Sequence, residues 1–305
     1  TIAYTISILR RLVWFTGFLG LIMMILFSSW LSKITFGNDE YTIAFICLSI
    51  TLLLKQLSVG QLAILQGFRK LKDLAKANLL GSFLGLISSL PLYYFYALDG
   101  IVPSIIITAL ILLLMSWYFS NKIVLKKVKL SLSQTFYQGK KMLKFGLMIS
   151  LSGLLTLSVA YLLRIYISQL NGIEQVGLYS AGFTILNTYV GLIFSALGTD
   201  FFPRLSSVAQ DNKLCKQLIN QQSEITILIM APILIIFIVL IKWSVIILYS
   251  NEFLPVIPML YWAVIGIFFK AGSWTISFLF LSKGAGKLFF MNELVTHTYT
   301  LVLNI

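Results

Sequence analysis

Charge is scarce in this chain of 305 residues: Asp, Glu, Lys and Arg make up 11% of it, where a soluble domain carries about 25%. Acidic residues are the scarcer kind, 10 against 23 Lys and Arg, so the net charge is +13. There is one histidine and there are two cysteines. Each shortage excludes something. Cys47 lies in an apolar run and Cys215 in a polar stretch, so no disulfide is expected between them. His297 stands without a cluster of ligands in the sequence, so no metal site is expected. No carboxylates pair at catalytic spacing, and neither a Gly-rich phosphate loop nor a Gly-x-Ser-x-Gly elbow occurs. Nothing in the chain calls for a cofactor, and no enzymatic chemistry is expected of it. Large polar domains are missing too, so the chain offers no place for an energy-supplying nucleotide.

What is abundant is apolar sequence. Hydrophobic residues reach 59% and mean hydropathy is +0.94. One soluble core cannot hide that much apolar surface, so the chain reads as an integral membrane protein. Apolar segments fall at about 12–34, 41–66, 77–98, 101–120, 143–169, 176–199, 223–250, 254–281 and 287–305. Most match or exceed the ~20 residues that a spanning helix needs. A membrane β-barrel would instead show alternating segments of about ten residues. The expected fold is therefore all-α: a polytopic helical membrane protein with nine transmembrane helices in view. The chain starts at Thr1 and stops at Ile305 inside an apolar run, which reads as a fragment.

Loop charge sets the expected orientation. Arg10 and Arg11 precede the first segment, and Arg69, Lys70, Lys72 and Lys76 outweigh Asp73 after the second. Lys122, Lys126, Lys127, Lys129, Lys140, Lys141 and Lys144 crowd the fourth loop. Arg204, Lys213 and Lys216 outweigh Asp200 and Asp211 in the sixth, and Lys283 and Lys287 fill the eighth. The intervening loops carry Asp39 and Glu40, Asp99, Glu174, and Glu252. Basic and acidic loops alternate throughout, which places residue 1 in the cytoplasm. The positive charge is then topological, and nucleic acid is not an expected partner. The fourth loop divides the chain into an N-terminal lobe (1–120), a basic inter-lobe linker (121–142) and a C-terminal lobe (143–305). Ile123, Val124, Leu125, Val128, Leu130 and Leu132 interleave its lysines. It reads as a plain topogenic linker, or as an amphipathic segment lying on the anionic inner leaflet.

Polar groups at membrane depth carry the functional signal. A Lys or Arg at a helix centre costs about 2.5–3.5 kcal/mol on insertion scales, so it needs a cavity, a partner or a route to the interface. Lys55 lies mid-segment, with Thr51 and Ser58 at i−4 and i+3. Lys270 has Gly266, Ser273 and Ser277 on its face, and Arg164 continues a stripe of Ser150, Gly153, Tyr161 and Ser168. The sixth segment carries Thr184, Asn187, Thr188, Gly191 and Ser195 at helical spacing. Small residues also mediate helix packing, and long cations snorkel, as Lys242 near a segment end is read to do. No Asp or Glu is expected at mid-membrane depth beside Lys55, Arg164 and Lys270. Unpaired cations imply a water-filled electropositive cavity whose ligand is an anion, lined further by Thr51, Ser58, Tyr161, Thr184, Asn187 and Ser273.

Several short motifs support a family. Gln61-Leu-Ala-Ile-Leu-Gln-Gly-Phe-Arg-Lys70, ahead of Ala75 and Ala77, closes an apolar segment on a basic loop. Phe145-Gly146 and Tyr161-Leu-Leu-Arg164 mark the fifth segment. Val176-Gly-Leu-Tyr-Ser180 after Gly172, and Phe202-Pro203-Arg204-Leu205, bracket the sixth. Together these resemble the bacterial O-antigen and polysaccharide flippases, within the superfamily that also holds multidrug extruders and the lipid II flippase. The resemblance implies two six-helix lobes forming a V around a central cavity, with these segments as helices three to eleven. It implies an undecaprenyl-diphosphate-linked oligosaccharide as substrate, moved to the outer leaflet of a bacterial inner membrane. It also implies membrane lipids and polysaccharide polymerase machinery as partners, and H+ or Na+ as coupling ion. The family usually places Asp before the seventh-helix Arg; here that position is Leu163. The alternatives are a multidrug extruder of the same fold, which favours intramembrane carboxylates, and a membrane polysaccharide polymerase, which needs a large outer loop.

Overall fold

The computed structural model describes residues 2–123 and 131–304. Among the described residues the protein is all-helical, with no strand. The helices are α1 (Ile2–Leu26), α2 (Ser28–Phe36), α3 (Thr42–Gly67), α4 (Leu71–Tyr96), α5 (Ile101–Ser120), α6 (Leu132–Asn171), α7 (Ile173–Ser207), α8 (Asn212–Leu248), α9 (Ile257–Ser282) and α10 (Gly286–Asn304). Short 3-10 turns at Ala97–Gly100 and Asn251–Val256 precede α5 and α9. Seven stretches are long and apolar enough to cross a membrane; one of them, Leu71–Ser120, contains both α4 and α5. The expectation for the fourth loop falls largely on 124–130, outside the described residues. Helix α6 already begins at Leu132, so Lys140, Lys141 and Lys144 ride on a helix rather than in a loop.

Helix ends follow local chemistry. Asp211 caps α8, its carboxylate accepting from the Lys213 and Leu214 amides at 2.8 and 3.1 Å. Cys215 is therefore buried in a helical turn rather than lying in a loop. Arg69 and Gly284 each adopt a left-handed conformation, φ 55° and 66°. Each closes a Schellman motif: Lys70 N–H reaches Leu65 O at 2.9 Å, and Ala285 N–H reaches Phe280 O at 2.8 Å. A glycine makes this turn without Cβ strain in the second case, while an arginine carries it in the first.

The chain forms two compact units, Thr1–Leu143 and Lys144–Ile305. In the first, α3 packs against α1 and α5, and α4 against α5. Helices in lipid gain little from apolar burial and associate through close contact of small residues. That is what α3 and α4 provide. A methyl at Gly60 would come within 2.9 Å of Val13, and one at Gly81 within 2.7 Å of Leu112. Hydroxyls and amides add cross-helix bonds: Gln56 Nε2 donates to Thr16 at 3.0 Å, and Ser120 donates to Gln61 Oε1 at 2.7 Å.

In the second unit the core lies between α7, α8 and α9. Ile185, Leu186, Val190 and Phe194 of α7 meet Met230, Leu234, Ile241 and Val245 of α8 and Leu260, Val264 and Ala271 of α9. Large apolar side chains such as Trp262, Val239 and Ile247 remain over 70% exposed, which suits lipid and not water.

Candidate functional site

On α9 the buried residues Leu260, Val264, Ala271 and Thr275 recur at helical spacing and form one face. Lys270, Ser273 and Ser277 fall on a different face, turned away from that core. They open on a cavity of about 760 Å³ within the second unit. Helix α10 supplies Asn292, Glu293, Thr296 and His297 to the same cavity, at i, i+1, i+4 and i+5, and α6 supplies Thr156. Gly286 lets α10 approach α6 closely, since a methyl there would meet Phe145 at 3.0 Å.

Polar and titratable side chains line part of the cavity, beside apolar ones such as Phe278, Leu281 and Phe289. Lys270 is exposed to it; its ammonium stands 5.9 Å from the Phe194 ring centroid, inside cation–π range. Thr156 Oγ1 and His297 Nε2 are hydrogen-bonded at 2.9 Å, tying α6 to α10. Glu293 lies 3.4 Å from the same nitrogen, one turn earlier on α10. Glu293 stands in the middle of α10, a helix outside the seven candidate spans, and shares a cavity with Lys270. His297, expected to stand alone, has two polar neighbours. The signal was present in Asn292-Glu293 and Thr296-His297, two polar pairs one helical turn apart inside an apolar segment.

The other expected residues are placed differently. Arg164 and Tyr161 are exposed on α6, and Thr184 and Asn187 are exposed on α7; none of these four lines the cavity. Thr184 returns its hydroxyl to Ser180 O at 2.7 Å. Ser273 lines the cavity and donates to Lys270 O at 3.3 Å. In the first unit Lys55 is exposed, and among the described residues it makes no hydrogen bond or ion pair. Thr51 and Ser58 flank it in sequence but are buried in helix packing. Thr51 donates to Leu48 O at 2.6 Å, and Ser58 approaches Leu112 O of α5 at 3.4 Å.

Fold and composition together define a multi-pass helical membrane protein. The chain belongs to the family described as "Polysaccharide biosynthesis protein", whose sequence profile matches residues 6–258. It is similar to the "Putative O-antigen transporter" of Shigella flexneri, 27% identical over 231 residues, which cover 74% of this chain and 54% of that protein. It is also similar to the "Lipid III flippase" of Escherichia coli (strain K12), 20% identical over 285 residues, covering 92% of this chain and 68% of that protein. The chain thus spans about half the length of the first of these relatives. No solved structure matches it.

Proposed function

We propose that this chain belongs to a flippase that carries an undecaprenyl-diphosphate-linked oligosaccharide from the cytoplasmic to the outer leaflet of a bacterial inner membrane. It acts as a transporter rather than an enzyme. The observation that carries this reading is the polar face of α9, where Lys270 looks into a cavity instead of into the core of its unit. A diphosphate needs cations, and sugars need hydroxyl and amide partners such as Ser273, Ser277 and Asn292. Lys270 is the proposed phosphate-binding cation of this cavity, with Ser273 in its polar lining; Lys55 and Arg164, exposed on α3 and α6 and outside that lining, are proposed as further cations that meet the substrate's phosphates. The names of both relatives favour this cargo over a drug.

Coupling to H+ or Na+ is assigned to Glu293 and His297. Leu163 stands where the family resemblance implies a carboxylate before the seventh-helix Arg, and Glu293 and His297 are the cavity's titratable groups besides Lys270. Association with polysaccharide polymerase machinery, and a cytoplasmic face for 68–76 and 121–142, complete the proposal.

The test is export of surface polysaccharide per molecule of flippase in a flippase-null strain. Lys270→Ala is expected to lower export at least tenfold while membrane abundance stays normal, and Lys55→Ala to lower it less. Arg164→Lys should retain part of the activity, because an ammonium replaces a two-pronged grip by a point charge. Wild-type export per molecule from both alanine variants would remove the cationic cavity as the substrate site.

A further inference from the structure

A second, smaller pocket of about 210 Å³ lies in the first unit, among α1, α3 and α5. Arg10, Val13 and Trp14 come from the middle of α1, Leu57, Gly60 and Gln61 from the second half of α3, and Trp117 and Asn121 from the end of α5. Further basic residues lie nearby in sequence: Arg11 beside Arg10, Arg69 and Lys70 after α3, and Lys122 after α5. Gln61 opens the motif that marked this region in the sequence, and the transport site makes no use of it.

The polar groups here are matched to an anion. Arg10 Nε is buried and has no hydrogen-bond partner. A buried N–H left in that state costs free energy unless a ligand or water meets it. The Gln61 carbonyl oxygen accepts from the Ser120 hydroxyl at 2.7 Å, which leaves the amide's N–H groups as donors. Asn121 adds an amide, the two tryptophans carry indole N–H groups, and no carboxylate lines the pocket. Trp14 and Trp117 are each about half exposed, 49% and 53%. At about 210 Å³ the pocket has room for a phosphate group with part of its stem, and not for an oligosaccharide.

We propose that this pocket binds the phosphate group of a lipid in the leaflet that adjoins the basic loops. Arg10 grips the phosphate oxygens as a fork, Gln61 and Asn121 donate from the neighbouring helices, and the tryptophans flank the glycerol or prenyl stem. Two sources share this chemistry: a bilayer phospholipid, or the carrier lipid of a lipid-linked sugar. The site stands whether or not the chain is a flippase, because it is built from the first unit alone.

The experiment is native mass spectrometry of the purified full chain with phosphatidylglycerol, diacylglycerol and undecaprenyl phosphate as probes. Phosphatidylglycerol should be retained and phosphate-free diacylglycerol should not. Arg10→Gln should lower retained phosphatidylglycerol about tenfold, the worth of one charge-assisted contact. Arg11→Gln removes the same charge next door and should lower it less than twofold. Equal retention in Arg10→Gln and the native chain, or equal loss in both variants, would overturn the proposal. Should Arg10→Gln not fold, Asn121→Ala decides, with an expected loss of about threefold and no loss as the contrary result. Competition between the two phosphate lipids names the source: displacement by undecaprenyl phosphate supports a carrier-lipid site, and indifference to it supports a phospholipid site.

Discussion

In the first unit, Gly60 of α3 sits so close to α1 that a methyl would lie 2.9 Å from Val13; in the second, Gly153 of α6, Gly191 of α7 and Gly266 of α9 have nothing within 4 Å. The same residue type therefore does opposite things. Gly17, Gly60, Gly81 and Gly85 are contact points that let helices touch. Gly153, Gly191 and Gly266 belong to polar stripes whose neighbours Tyr161, Thr184, Asn187 and Ser273 are exposed. Small residues in a membrane helix thus mark either a packed seam or a cleared surface, and only the partner tells which. The second unit also has packed glycines, Gly182 against Val256 and Gly198 against Phe278, and these lie on the core side of α7.

The comparison can be broken most severely through the seam. Gly60→Leu is expected to cost several kcal/mol, since Val13 is branched at Cβ and cannot turn aside. Membrane abundance and thermal stability in detergent should both fall sharply. Gly191→Ala and Gly266→Ala should leave both unchanged or slightly raised, because alanine favours helix over glycine by up to about 1 kcal/mol. Equal damage at Gly60 and Gly191 would erase the distinction between the units.

A smaller effect is expected where α6 meets α10. Thr156→Val removes the partner of His297 and should cost about 1 kcal/mol of unit stability. Glu293→Gln should change the dependence of export on the proton or sodium gradient without lowering abundance. Transport that responds to the gradient as before would take Glu293 out of the coupling role.

The smallest effect concerns the loop between α2 and α3. The Ser29 hydroxyl at 2.7 Å, and then Lys33 at 3.1 Å, hold the Asp39 carboxyl below the usual carboxylate range. A lowered folded value means the contribution is present above the ordinary aspartate range and fades as pH falls through the lowered one. Asp39 is exposed, so Asp39→Asn should shift acid stability only marginally, measurable as a small change in the low-pH limb of a thermal-stability profile.

Much of this architecture could be read from the sequence. The long apolar runs correspond to long helices. Helix starts were harder, because α6 and α8 begin in polar sequence. The Asp211 cap at the head of α8 was a readable signal, whereas nothing short of the fold extends α6 back to Leu132. The polar site was legible only in part. Spacing places Thr51, Lys55 and Ser58 on one arc of α3, but an arc wide enough to hold three side chains spans the edge of a helix contact. Thr51 and Ser58 fell inside that edge and Lys55 outside it. Ser273 and Lys270 kept the neighbourhood expected of them, because the core face of α9 is narrow. Glu293 and His297 meet the cavity together with Asn292 and Thr296 because a helix positions side chains by face, which the total charge of a segment does not show.

The most direct measurement is cysteine accessibility on the α9 stripe. In a full-length protein lacking Cys47 and Cys215, Ser273→Cys should react in intact membranes with a small, membrane-impermeant methanethiosulfonate. Thr275→Cys, on the core face of the same helix, should stay unlabelled. If Ser273→Cys reacts only with membrane-permeant reagents, the stripe faces lipid and the aqueous cationic cavity does not exist.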